Sequence, residues 1–153
     1  MVWRQKFRLI YPLFFAAVLV KSFANLGLEL IPCYPEAEAH LGLQYVIGLP
    51  ENTGLIFKEP AGIEFHTHNC RFPIEWSCFS GKFELLKRKV LLPETSGHIT
   101  PAGTRYVIET NKGFFARKGI KEGDRFDPKS IRYSRKYKTV YDLPRIKDRG
   151  GKR

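Results

Sequence analysis

A chain of 153 residues can bury one hydrophobic core but not two, which excludes a multidomain enzyme. Its formal net charge of +11 suggests nucleic acid or an acidic membrane, yet the charge sits at the ends: residues 1–24 carry four bases and no acid, 127–153 carry ten bases and three acids, and 25–126 carry twelve of each. That neutral middle excludes a continuous basic surface on the domain, and 12 Phe, 7 Tyr and 10 Pro favour strands and turns over a helical bundle.

Residues 1–24 read as a leader. Arg4, Lys6 and Arg8 form a basic start, residues 9–20 an apolar run, and Ser22-Phe23-Ala24 a cleavage pattern with small residues flanking a bulky one. The run is shorter than the ~20 apolar residues that cross a bilayer, and Pro12 interrupts it. Export with cleavage before Asn25 is the expectation, leaving no transmembrane span in the mature protein. An uncleaved membrane-associated helix, a mitochondrial presequence and a buried N-terminal strand are the alternatives.

Residues 26–31 predict a strand ended by Pro32, and 35–43 a short helix with Glu36 and Glu38 early and Gly42 near its end. A turn at 49–52 leads into a buried strand at 54–57. Strands are expected at 65–69 and 72–79, the second alternating Phe72, Ile74, Trp76 and Cys78 against Pro73, Glu75, Ser77 and Phe79. A hairpin turn at 80–82 enters a strand at 83–92, and a polar loop fills 93–103. A strand at 106–110, a short helix at 112–118 ended by Gly119 and a closing strand at 123–126 complete the domain. The fold expected is mostly β (α+β): one domain over 25–126, a compact barrel-like sheet with one or two short helices, followed by a basic tail over 127–153.

Three blocks carry a family signature: Gly42-Leu43 with Leu49-Pro50, Gly54 and Phe57; Phe65 with Asn69 and Pro73-Ile74-Glu75; and Tyr106-Val107-Ile108-Glu109 with Gly119-Ile120 and Gly123-Asp124. In this order and spacing they resemble the family called domain of unknown function 192, small mostly-β prokaryotic proteins that often carry export signals. The resemblance covers about residues 28–126 and implies a fold but no established reaction, substrate or cofactor. Three stretches depart from it, the first also by Gln44 in place of Met. Val46 stands where the family has Arg, His66-Thr67-His68-Asn69-Cys70 keeps only the Asn of Trp-Met-Lys-Asn-Thr, and Glu75 replaces Asp.

The sharpest local chemistry is His66 and His68, which on a strand would share a face and could both reach a metal, with His98, His40, Glu64 or Glu75 as third ligand. Exposed polar strand residues account for the pair more simply, so no metal and no cofactor is assigned. Cys33, Cys70 and Cys78 allow three disulfide pairings with one thiol left over; a nucleophilic Cys70–His68 or Cys70–His98 pair is disfavoured because sequence neighbours on a strand point to opposite faces. Gly54, Gly62, Gly81 and Gly97 read as turn glycines, not a phosphate-binding loop. In the tail, Tyr133, Tyr137 and Tyr141 would align on one face of a helix among Arg132, Arg135, Lys136 and Lys138, a pattern suited to RNA or an acidic surface; tyrosines covering the domain's edge, with a solvated end from about Arg145, are the simpler account.

The functional expectation is a non-enzymatic exported protein, periplasmic, envelope-bound or extracellular, that binds a ligand or protein through a surface formed by His66, His68, Asn69 and Glu75. A structural subunit of an organellar or cytoplasmic ribonucleoprotein assembly, using the basic tail, is the alternative. A metal-dependent hydrolase ranks last.

Overall fold

The computed structural model describes residues 19–34, 36–58 and 62–146. Its strands are β1 (Val20–Ser22), β2 (Glu29–Pro32), β3 (Thr53–Lys58), β4 (Glu64–Phe65), β5 (Ile74–Ser80), β6 (Leu85–Leu91), β7 (His98–Ile99), β8 (Thr104–Asn111), β9 (Arg125–Asp127) and β10 (Arg132–Tyr133), with helices α1 (Glu36–Leu41) and α2 (Phe114–Arg117). The mostly-β expectation is borne out. Among the described residues no helix is long and apolar enough to cross a membrane.

Six strands form a mixed sheet in the order β10-β2-β3-β8-β5-β6, parallel from β10 to β3 and antiparallel from β3 to β6. β1 pairs with β9 and β4 with β7 in two-strand ribbons. The barrel-like expectation holds as a mixed sheet that does not close into a barrel. β9 bonds to the turn before β6 through Phe126 N–H to Phe83 O at 3.0 Å, but β10 remains a free edge.

Both faces of the sheet are covered, so its central strands are buried on both sides. One face gathers Ile31, Cys33, Leu55, Phe57, Ile74, Trp76, Cys78 and Val107 under α1 and the loops around it. The other gathers Leu30, Ile56, Phe79 and Ile108 against Phe23, Phe114, Phe115 and Phe126. The alternation expected along 72–79 therefore separates two cores. Gly54 lies within β3 rather than in a turn: a Cβ there would stand 2.9 Å from Glu109 O and 3.0 Å from Thr110 Cγ2, so glycine lets β3 pass this close to β8. Gly42, with φ +44°, ends α1 as its sequence position predicts.

The two ends of the described chain belong to this fold. Phe23, fully buried, stacks on Phe126 at 4.4 Å and meets Phe79 and Phe83 edge-on. At the other end, Val140 and Leu143 are buried in the core under α1. The expected leader boundary at Ala24 thus falls inside a packed segment, while residues 1–18 lie outside the described residues.

Candidate functional site

Between α1, the end of β2 and the segment around β4 lies a cavity of about 520 Å³. Its walls are mainly apolar: Leu41 and Leu43 from α1 and its exit, Phe57 from β3, Ile63 and Phe65 from β4 and its approach. Phe65 is held edge-on between Phe57 at 5.3 Å and Trp76 at 5.9 Å, which fixes this wall.

Glu109 lines the same cavity from the middle of β8, paired in register with Leu55 on one side and Trp76 on the other. Only 5% of the residue is exposed. It has no hydrogen bond or ion pair among the described residues, and burial raises its pKa from 4.5 to about 8. Cys33 and Cys70 also line the cavity; the third thiol, Cys78, is buried in the same core, and all three are free. Burial, with Glu109 adding to it, pushes the Cys33 thiol far up and the Cys70 thiol to about 12, so neither is an activated nucleophile.

The four residues expected to form a binding surface do not come together. His66 and His68 sit in a turn beyond β4, not on a strand; their rings stand 4.8 Å apart and His66 borders the cavity. Thr67 between them is buried, its hydroxyl donating to Leu92 O at 2.6 Å and accepting from Thr95 N–H, which ties this turn to the loop after β6. Asn69 takes up a left-handed conformation with φ 59°. Its backbone N–H donates to Glu94 Oε1, its side chain donates to Gln44 Oε1 and its carbonyl accepts from Tyr45 N–H, so it clamps the loop after α1.

Glu75 lies on the opposite face of the sheet. Its Oε1 accepts from Phe115 N–H at 3.1 Å and stands 3.7 Å from Arg88 Nε, and burial still raises its pKa. The remaining metal-ligand candidates are engaged elsewhere: His98 Nε2 lies 2.8 Å from Thr95 Oγ1, His40 3.6 Å from Glu36, and Glu64 accepts from Gly97 N–H. No group of three His, Cys, Asp or Glu side chains among the described residues has a geometry that could hold a metal ion.

No single helix carries the three tyrosines among the described residues: only Tyr141 is helical, in a three-residue 3-10 turn at Val140–Asp142. Arg132 and Tyr133 make the edge strand β10, with Tyr133 Oη 3.0 Å from Tyr34 Oη. Tyr137 packs against the core and carries Lys136 over its ring at 5.0 Å, while Arg135 and Lys138 are exposed. Arg145, expected in solvent, turns inward and donates to the carbonyls of Gly42, Gln44 and Val140. Its backbone bridges to Val46.

Sequence reasoning missed Glu109 and Arg145. Glu109 left a trace, an acid on the same side of β8 as core residue Val107; Arg145 left none, because two of its three carbonyl partners, on Gly42 and Gln44, lie a hundred residues away.

None of the curated proteins compared matches the chain. Among solved structures it is similar to a provisionally assigned transcription regulator from Sinorhizobium meliloti 1021, at 19% identity over 63% of this chain and 78% of that one, with a TM-score of 0.57. It is also similar to a protein of unknown function from Novosphingobium aromaticivorans DSM 12444, at 26% identity over 64% of this chain and 73% of that one, with a TM-score of 0.57. Residues 30–128 match the model of domain of unknown function 192, described as an uncharacterized ACR, as the three sequence blocks lead one to expect. The chain belongs to that family.

Proposed function

We propose that this chain is a non-enzymatic, exported binding module whose ligand enters the cavity beneath α1. The observation that carries the reading is the cavity itself: about 520 Å³, walled by fixed aromatic and aliphatic side chains, with one buried polar group, Glu109, lacking a partner. Small-molecule sites have this size and this ratio of apolar wall to polar group. Thiols held protonated by burial favour binding over cysteine chemistry. His66 contributes at the mouth, while His68 and Asn69 shape the turn that carries it.

Export rests on the basic start and apolar run at the N-terminus. The burial of Phe23 supports a mature protein that keeps residues 20–24. Intact-mass measurement of the native protein from a cell-envelope fraction tests this: a first residue after the basic start and at or before Val20 is expected, and a start at Met1 or at Asn25 overturns it.

The pocket is tested with naphthylmethanol, a neutral aromatic probe, followed by tryptophan fluorescence because Trp76 touches the Phe65 wall. Saturable binding is expected, and Ala39→Trp, which places an indole in the opening from an exposed position on α1, should abolish it. Binding that is absent, or unchanged by Ala39→Trp, refutes the reading.

A further inference from the structure

We propose that the cavity beneath α1 selects a ligand with an apolar body and a protonated amine, the ammonium pairing with Glu109. This rests on the pocket reading above and adds the chemical class of the ligand.

The argument starts from an imbalance. A carboxyl group removed from water needs hydrogen bonds or a countercharge, and Glu109, 5% exposed at the centre of the sheet, has neither among the described residues. The partly buried cation of this core, Arg145, is committed to the carbonyls of Gly42, Gln44 and Val140. The open side of Glu109 is the cavity, so a group that satisfies it must arrive from there.

The charges around the opening point the same way. Among the described residues Glu36 and Glu64 stand at the opening with one lysine, Lys58, all three exposed, and Glu109 lies deeper. The acids outnumber the base on the way in, so an ammonium is attracted on entry and paired at the end of its path. The aromatic walls, Phe57 and Phe65, suit a flat or branched hydrocarbon body.

Proton bookkeeping makes the proposal measurable. With its pKa near 8, Glu109 is mostly protonated in the empty pocket at neutral pH. An incoming ammonium therefore forms its ion pair as the carboxyl proton leaves to solvent, close to one proton released per ligand bound. The other titratable groups facing the cavity are Cys33, Tyr34 and Cys70, whose pKa values are all raised, and Glu36, His40, Lys58, Glu64 and His66 around it. These are shared by wild type and Glu109→Gln, so the difference between the two isolates Glu109.

The experiment uses the full chain and three probes of one shape: naphthylmethylamine, naphthylmethanol and naphthoate, titrated by calorimetry near neutral pH in two buffers of different ionisation enthalpy. The expected result is that the amine binds at least about tenfold more tightly than the alcohol, naphthoate binds weakest, and Glu109→Gln removes the amine's advantage. Wild type should release close to one proton on binding the amine, and affinity should rise with pH up to about 8. Proton release needs no variant, so it keeps the test decisive if Glu109→Gln folds poorly. If alcohol and amine bind equally and no proton is released, the amine proposal is overturned while the pocket stands. If no probe binds, the pocket reading falls and the proposal with it.

Discussion

Cutting the chain between Ala24 and Asn25, where the leader pattern places cleavage, removes Phe23 from a cluster of four aromatic rings. Phe23 is fully buried, stacked on Phe126 at 4.4 Å and edge-on to Phe79 at 6.0 Å and Phe83 at 5.8 Å. Losing a buried phenylalanine costs ~3–5 kcal/mol, from its transfer energy and the cavity left behind. The cut also deletes β1 and its three-residue pairing with β9, together with the partly buried Lys21–Asp124 ion pair, which adds to the loss. Against a typical domain stability of ~5–15 kcal/mol the loss is severe. Three chains separate the contributions in urea unfolding: full length, a chain starting at Leu19, and one starting at Asn25. The first two should share a midpoint. The third should lose ~3–5 kcal/mol, about 10–20 °C in Tm, and Phe23→Ala in the full chain should reproduce most of that. Equal midpoints and slopes for all three chains would refute the reasoning and return residues 20–24 to a dispensable leader.

Glu109→Gln should stabilise the protein as pH rises. The folded-state pKa lies above the unfolded one, so the folded chain holds the extra proton and wild-type stability falls between about pH 4.5 and 8; 3.5 units at ~1.4 kcal/mol each bounds the loss at about 5 kcal/mol. Urea midpoints of wild type and variant should diverge across that range, and parallel curves would place the carboxyl in water. Arg145→Ala should cost ~2–4 kcal/mol by leaving three carbonyls without their charged donor, and Arg145→Lys should recover little, since an ammonium does not reproduce the planar fork; hydrogen exchange at residues 42–46 reports it, and unchanged protection would contradict it. Cys70 and Cys78, each raised from 9.0 to about 12, should react with iodoacetamide about a thousandfold more slowly in the native protein than after unfolding; a free-thiol rate in the folded state refutes their burial.

The sequence made the sheet legible where structure is local. Alternation along β5, the Ser80–Glu84 turn and the Gly42 helix end are each set by residues within a few positions of one another. It misplaced Glu75 because an acid in an alternating strand reads as solvent-facing. The outward face of β5 is instead covered by α2, whose Phe115 N–H donates to the carboxylate. The same failure, in reverse, hid the cavity: Glu109 reads as an ordinary polar residue in a strand until α1 and β4 enclose it. The tail shows the limit most plainly. A four-residue tyrosine period suggests a helix, but β10 pairs in parallel with β2 across a hundred residues, and parallel pairing leaves no local signature.

The charge distribution acquires a structural meaning from these placements. The match to the family spans residues 30–128, which holds β3, β8, β5 and β6 and most of β2 but neither the edge strand β10 nor all of the sheet's covers. One face is completed by Phe23 from the N-terminal segment, the other by Val140, Leu143 and Arg145 from the C-terminal one. Within the described residues, the segments 19–24 and 127–146 are therefore not appendages on a neutral domain; each supplies apolar residues that finish a core. Arg145 fastens its segment to Gly42 and Gln44, both of which line the cavity, so the C-terminal cover and the ligand site share a wall. A change that loosens residues 140–146 should then alter ligand affinity without touching Glu109, because it moves the exit of α1 rather than the group at the base of the pocket.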